Sequence, residues 1–389
     1  MRIGFVSTYP PIECGIATYT DYLNEALRTL ENETFVISQL GAQGQGVFPV
    51  FKAQSQSFAS DVYTTSVNMT PDIMHIQHEY GLYGTQRGVE IVELILRYRL
   101  AQVPVVITLH TVYSELKRDE QIILKHVLDE CSAVIVHEEF QRETLLRYFG
   151  DMPRMAEKIR VIEHGIREMG PVPDAKKKLG LEGKKVILLC GYFRPTKGYH
   201  KIVDCFSRIA EQDEDAVLVV AGKTRNVEYD EYRRKLFLQL NESPFVDRIE
   251  ILRGQFPQHT FDTIISAADV VVLPYEVGAQ SGMMAQCFAA GVPVITSDLP
   301  AFRIIIERSG GGLVCEKDED YPETILRALN DRELADGMKK NIRQYVSEKA
   351  GWSQIAQQHI DAYHSGVTVP YGKARYVYFH ESGPETKGA

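Results

Sequence analysis

The sequence predicts an α/β protein of two Rossmann-like doubly wound parallel-sheet domains. Apolar β-branched runs alternate with amphipathic stretches over residues 1–170, the signature of βαβα units. Residues 167–184 (REMGPVPDAKKKLGLEGK) carry prolines, glycines and lysines without an apolar period, as a linker does. From Lys185 the alternation starts again. Runs such as Val270–Leu273 show no polar alternation, which fits strands buried on both faces.

In the first domain, strands are read at Arg2–Ser7, Phe35–Leu40, Ile73–Ile76, Val103–Leu109, Ala133–Val136 and Ile159–Ile162. Helices are read at Ala17–Thr29, Gly88–Tyr98, Glu115–Glu130 and Glu139–Tyr148; the first has Tyr19, Leu23 and Leu27 at a four-residue spacing. In the second domain, 185–348, strands are expected at Lys185–Leu189, Ala216–Ala221, Arg248–Leu252, Val270–Leu273, Pro293–Ser297 and Gly312–Cys315. Helices are expected at Tyr199–Glu211, Tyr229–Leu240, within Phe256–Ala268, near Tyr321–Leu329 and at Arg332–Glu348. Strand ends of the two domains are expected to face a cleft. Residues 350–365 hold the single tryptophan, Trp352, and a helix expected to pack back on the first domain. Residues 366–389 form a tail whose aromatic run, Tyr376–Phe379, suits an edge strand or a partner contact.

With 389 residues, 44% hydrophobic and 24% charged, the composition is that of a globular protein. A net charge of -9 argues against nucleic-acid binding by phosphate neutralisation. No apolar run is long enough for a transmembrane segment, and MRIGFVS passes into a strand without the apolar region of a signal peptide. Six cysteines are scattered without a CxxC pair, so reduced core thiols and a cytoplasmic location are expected, with no metal site. Self-association as a homodimer is allowed for.

Two segments carry candidate chemistry. The stretch 270–298 reads as strand, polar loop, helix and strand, with Ser281 as a cap, Gly282 in the first turn and Gly291 as the stop. Free N–H groups at residues 281–284, just beyond a parallel strand, make a main-chain anion site. CGYFRPTKGYH at 190–200 puts Arg194 and Lys197 before another helix, also at a strand end. A fork and a point charge together suit a diphosphate. His75 and His78 are three apart, out of phase with a strand, which predicts that His78 lies in the following loop. Glu138 and Glu139 open a helix, where carboxylates favour the dipole.

The ordered segments TYPPIECGIATYT, ITLHT, RVIEHGI, GYFRPTKG, AVLVVAGKT, ADVVVLPY and AAGVPVITSD resemble those of the retaining, nucleotide-sugar-dependent glycosyltransferases of family 4 (group 1), which have the GT-B fold. The resemblance spans roughly residues 1–350. It implies a nucleotide diphosphate sugar, UDP- or GDP-linked, as co-substrate and a carbohydrate or other hydroxyl acceptor, with no further cofactor. It implies that Lys197, with Arg194 as the less secure match, contacts the donor diphosphate. Gly15 lets the first helix approach the donor phosphates, and Arg253, Gly254, Gln255 and Phe256 meet the nucleotide base. His110 lies near the transferred sugar, and His78 and Glu79 line the acceptor side or cap the strand end.

One departure stands out. Where the family has two glutamates with seven residues between them, this chain has Gly278 and Gln286. Gln286 keeps a carbonyl for ribose hydroxyls but loses the charge. Glu276 or Gln280 is the candidate to stand in for the first glutamate, beside Ser281, Gly282 and Met283. His137 and His164 also sit at strand ends; His164 stands where the family often has asparagine and is read as structural. The reading is a hexosyltransferase acting with retention. A sugar-nucleotide epimerase, a phosphorylase of the same fold and a non-catalytic nucleotide-sugar-binding protein are the alternatives.

Overall fold

The computed structural model describes residues 1–84, 87–223, 229–254, 256–277 and 282–368. Two compact units result: Met1–His164 joined by the helix Trp352–Thr368, and Gly165–Gly351. Each has its own all-parallel sheet with helices on both faces.

In the first unit the strands are β1 (Arg2–Val6), β2 (Glu33–Gln39), β3 (Val47–Phe51), β4 (Ile73–His78), β5 (Val105–Leu109), β6 (Ala133–Val136) and β7 (Ile159–Val161). They lie in the order β3-β2-β1-β4-β5-β6-β7. The order reverses between β1 and β4, which pair from Ile3 with Ile73 to Val6 with Ile76. Among the elements absent from the sequence reading are β3 and the helices Phe58–Val67, Met155–Lys158 and, in the second unit, Pro300–Ser309. The strand's edge position leaves it half-exposed and interrupted by Pro49, so it lacks the apolar run of a central strand. His78 is corrected from loop to strand: it ends β4 and is fully buried.

The second unit holds β8 (Lys185–Tyr192), β9 (Ala216–Lys223), β10 (Ile249–Arg253), β11 (Val270–Leu273), β12 (Val294–Ser297) and β13 (Gly312–Cys315). Their order is β10-β9-β8-β11-β12-β13, with the reversal between β8 and β11. β8 and β9 run further than their apolar stretches, so that Tyr192 and Lys223 are cross-strand neighbours at the carboxyl end. The sheet separates two apolar layers. One is built around Val186, Leu188, Val271 and Phe288, the other around Ile187, Leu189, Phe206 and Ile325. Where the chain enters and leaves this unit, Ile166 and Gly351 form an isolated parallel bridge, and the Ile166 N–H donates to Ala350 O at 2.8 Å.

The helix Trp352–Thr368 belongs to the first unit's core through Trp352, Ile355, Ala356, Tyr363 and Val367, all buried. Polar contacts fix it as well. Tyr363 Oη lies 2.7 Å from His75 Nδ1, and His359 Nε2 lies 3.3 Å from Tyr19 Oη. Both imidazoles are fully buried, so each nitrogen needs a partner. Tyr363→Phe is expected to cost about 1–3 kcal/mol by orphaning His75 Nδ1. Urea denaturation measures this, and an unchanged midpoint would mean that the helix docks without that bond.

Candidate functional site

In an open parallel sheet, ligands bind beyond the carboxyl ends of the strands where strand order reverses. In the second unit that position lies between the loops after β8 and β11. After β8, Arg194 is extended and Pro195–Lys197 form one 3-10 turn. Pro195 suits its first position because the missing N–H would be unpaired there. Gly198 follows with φ +63, and the helix Tyr199–Gln212 begins. A Cβ at Gly198 would collide with the carbonyl oxygen of Pro274, in the loop after β11. The Glu276 N–H donates to Thr196 O at 3.0 Å, closing the same seam.

Across it, Lys197 Nζ stands 3.5 Å from the centre of the buried Tyr275 ring. Burial, reinforced by neighbouring Arg194, lowers the Lys197 pKa to about 8. Arg194 Cζ lies 5.4 Å and Lys223 Nζ 5.7 Å from the Tyr192 ring centre. Arg253 Cζ lies 4.8 Å from that of Phe237. Four cations, two at the carboxyl ends of β9 and β10 and two in the loop after β8, therefore rest on aromatic rings, where the π face is the negative one. Arg194, Lys197 and Arg253 have no carboxylate partner among the described residues. Lys223 and its platform Tyr192 were missed in the sequence, because β8 and β9 extend past their apolar runs.

The remaining candidates divide. Gly254, with φ +156, donates its N–H to Gly222 O at 3.0 Å, and Phe256 is half-buried against the core. Gly282 opens the helix Gly282–Ala289; Met283 Sδ lies 3.2 Å from Cys190 Sγ. The Glu276 carboxylate lies 3.8 Å from His200 Nε2 and 3.9 Å from Lys201 Nζ, over the first turn of the helix Tyr199–Gln212. There it also favours the helix dipole. Gln286 Oε1 accepts from Arg167 Nη2 at 2.6 Å and from Gln258 Nε2 at 3.3 Å. Arg167 in turn forks onto Asp262, which is one-tenth exposed. The Gln286 carbonyl is thus already engaged within the unit, and the nearby negative charge resides on Asp262. Gly278, Gln255, Gln280, Ser281 and the run Tyr376–Phe379 lie outside the described residues.

In the first unit, Gly15 starts the helix Gly15–Thr29, exposed and with open space where a Cβ would project. His110 follows β5. Its Nε2 is 2.8 Å from the Gln77 amide and its Nδ1 is 3.3 Å from His137 Nε2. His137 Nδ1 donates to Ile162 O at 2.9 Å, so its Nε2 must accept. His110 Nε2 faces Gln77 Oε1, and Gln77 Nε2 lies 3.4 Å from His75 Nε2. Both ring nitrogens of His110 are therefore occupied within the protein.

Tyr19 is the hub of this region. Its ring meets those of His110 at 4.9 Å, His137 at 5.3 Å, His164 at 5.2 Å and Trp352 at 5.0 Å, all edge-on. Tyr19, Gln77, His359 and Tyr363 carried no sequence signal of this, because their partners are distant in the chain. His78 is also corrected. Fully buried, it cannot line a surface; its ring lies edge-on to Tyr80 at 5.2 Å, and burial lowers its pKa to about 4. Glu79 is half-buried, with Oε2 accepting from Thr111 Oγ1 at 2.6 Å. Among the described residues, no group of three His, Cys, Asp or Glu side chains is arranged to hold a metal ion. Nor is any helix among them long and apolar enough to cross a membrane.

Comparison with known proteins gives consistent matches. The family model described as Glycosyltransferase Family 4 matches residues 14–168, and that described as Glycosyl transferases group 1 matches residues 172–345. The chain is 28% identical over 260 residues to the putative glycosyltransferase YtcC of Bacillus subtilis, covering 63% of each. It is 30% identical over 195 residues to the phosphatidyl-myo-inositol mannosyltransferase of Mycobacterium leprae, covering 48% of each. The matched region thus spans less than two thirds of these relatives' own length. Among solved structures, Anabaena HepE in complex with UDP-glucose superposes with a TM-score of 0.69 at 15% identity, over 93% of this chain and 98% of that one. Sucrose-phosphate synthase from Thermosynechococcus elongatus gives 0.71 at 19% identity, again over 93% and 98%.

The histidine-rich core sets the pH response of the first unit. Burial lowers the pKa of His137 to about 3 and of His359 to about 4, and holds His75 and His110 well below the usual range. A base whose pKa falls on folding binds its proton first in the unfolded chain. Stability is therefore full above about pH 6.5 and falls as pH drops toward 4, by about 1.4 kcal/mol per pH unit for each such imidazole. Unfolding midpoints between pH 7 and 4.5 measure this, and a flat profile would contradict a neutral core.

Proposed function

For a chain that belongs to the family 4/group 1 glycosyltransferases and has the GT-B fold, we propose transfer of a sugar from a nucleotide diphosphate sugar to a hydroxyl acceptor, with retention. The observation that carries this is the set of cations at the β8/β11 reversal. Arg194 and Lys197 have no carboxylate partner, and the partly buried ammonium of Lys197 has its pKa lowered to about 8. Keeping that charge out of water is costly unless an anion accompanies it. A diphosphate supplies the anion. The named relatives include a mannosyltransferase, and a structural neighbour was solved with UDP-glucose. Both support a nucleotide sugar here.

Cleavage of the sugar–phosphate bond builds positive charge on the sugar and negative charge on the departing diphosphate. Lys197, Arg194 and the N–H groups at the start of the helix from Gly282 stabilise the latter, and do so more strongly as the charge grows. Lys223, beside Tyr192, joins that set. Retention follows when the acceptor approaches on the face the diphosphate leaves and passes its proton to the leaving oxygen, so no separate base is needed. Gln286, with its carbonyl on Arg167, offers its remaining amide hydrogens to the nucleoside, where a carboxylate would only accept.

Lys197→Ala is expected to lower turnover by about 100- to 1,000-fold, in line with loss of one pre-organised stabiliser of developing charge. Thermal shift with UDP-, GDP- and ADP-sugars identifies the donor first, since a ligand of the folded state raises the midpoint. Near wild-type turnover in the variant would overturn the diphosphate assignment. A pH test is independent of turnover. Nucleotide affinity measured by titration calorimetry should begin to fall near pH 8 as free Lys197 loses its proton, and Lys197→Arg should abolish that fall.

A further inference from the structure

Resting on the reading of the first unit as the acceptor side, we propose that Tyr113 is a platform for a pyranose ring, so that the acceptor hydroxyl belongs to a sugar. Tyr113 lies three residues after His110, in the loop following β5. Its ring stacks nearly parallel to that of Tyr80, at 10° and 6.3 Å between centres. The two are unequally covered: Tyr80 is 8% exposed and Tyr113 is 48% exposed. Tyr80 is fixed by the edge-on ring of His78 and by Arg87, whose guanidinium carbon is 5.0 Å from its ring centre. Arg87 is itself paired with Asp119 and Glu120. Tyr113 is therefore a large aromatic surface stacked on a fixed, buried ring yet open on the outside.

The groups beside it match the two faces of a sugar. The C–H face of a pyranose is apolar with positive edges, and packs on a π face, which is negative. Its hydroxyls need acceptors in a fixed direction. Glu79 Oε1 accepts the Tyr80 N–H at 2.9 Å and Oε2 accepts Thr111 Oγ1 at 2.6 Å, so the carboxylate is immobilised. Of its four lone-pair positions, about two remain for hydroxyls. A simple covered stack would not leave one ring open beside a pinned carboxylate. An alkyl alcohol acceptor would use the aromatic surface but not the carboxylate.

Ligand-observed saturation-transfer NMR on the full chain tests this, with methyl α-glucopyranoside, methyl α-mannopyranoside and methyl N-acetyl-α-glucosaminide as probes and 1-hexanol as the apolar control. Wild type and Tyr113→Trp should saturate the ring C–H protons of at least one glycoside. Tyr113→Ala should weaken that binding by about two- to ten-fold, the worth of one aromatic contact, and Glu79→Gln should weaken it while leaving hexanol unchanged. No saturation of any glycoside, equal saturation in Tyr113→Ala, or hexanol alone binding would overturn the platform. UDP and GDP titrations on the same variants keep the two readings apart. Nucleotide binding should survive Tyr113→Ala and be lost in Lys197→Ala. If wild type binds neither nucleotide, the donor reading fails, whatever the glycosides do.

Discussion

Two loops meet at Gly198. Its left-handed backbone turns the chain from the 3-10 segment into a helix, and the space a side chain would need is filled by the carbonyl of Pro274. That approach lets Glu276 bond to Thr196 and brings the ammonium of Lys197 onto the Tyr275 ring. Tyr275 is itself held by Phe302 at 5.3 Å, and Ser297 Oγ donates to the Tyr275 carbonyl at 2.6 Å. The charge of Lys197 is thus set by the packing of β11 and β12 rather than by a flexible stem in solvent. A pre-oriented cation needs little rearrangement when charge develops nearby, which is the basis of electrostatic stabilisation by a folded chain.

The two units solve the problem of a polar strand end differently. In the second, cations rest on aromatic rings, and Arg194, Lys197 and Arg253 do so without a carboxylate partner among the described residues. In the first, buried imidazoles are linked through hydrogen bonds: Tyr363 with His75, Gln77 with His110, His110 with His137, and His137 with the carbonyl of Ile162. Such a chain is stable only while every member is satisfied and uncharged, because a proton added anywhere reverses a donor and sits far from water.

Local chemistry was legible in the sequence; long-range partnership was not. The strands of the second unit could be read because each is an apolar run bounded by Gly, Pro or Asp. The Arg-Pro-Thr-Lys-Gly turn could be read because proline and glycine fix the backbone where they stand. β3 was hidden by its edge position and Pro49. His78 was misread because a strand buried on both faces tolerates a polar residue on either one, so a two-residue alternation does not mark its end. The occupied nitrogens of His110, the Gln286–Arg167 bond and the Tyr192–Lys223 pairing join residues 27 to 119 apart. No spacing rule reaches so far. The open face of Tyr113 likewise depends on which neighbours fail to cover it.

The helix Trp352–Thr368 has one more consequence, in the order of synthesis. Residues 165–351 are continuous and can close their core as soon as they emerge. The first unit cannot. Its strands are made first, yet Tyr19 and His75 wait for His359 and Tyr363, which lie 340 and 288 residues further along. Until that helix arrives, the nascent first unit holds unpaired imidazole and phenol groups and an uncovered apolar face around Phe5, Leu23 and Ile135. Domains usually mature from the amino terminus on the ribosome. Here the discontinuity inverts that sequence: the later-made unit has its whole core available first, and the earlier one must wait for the last helix to close its own.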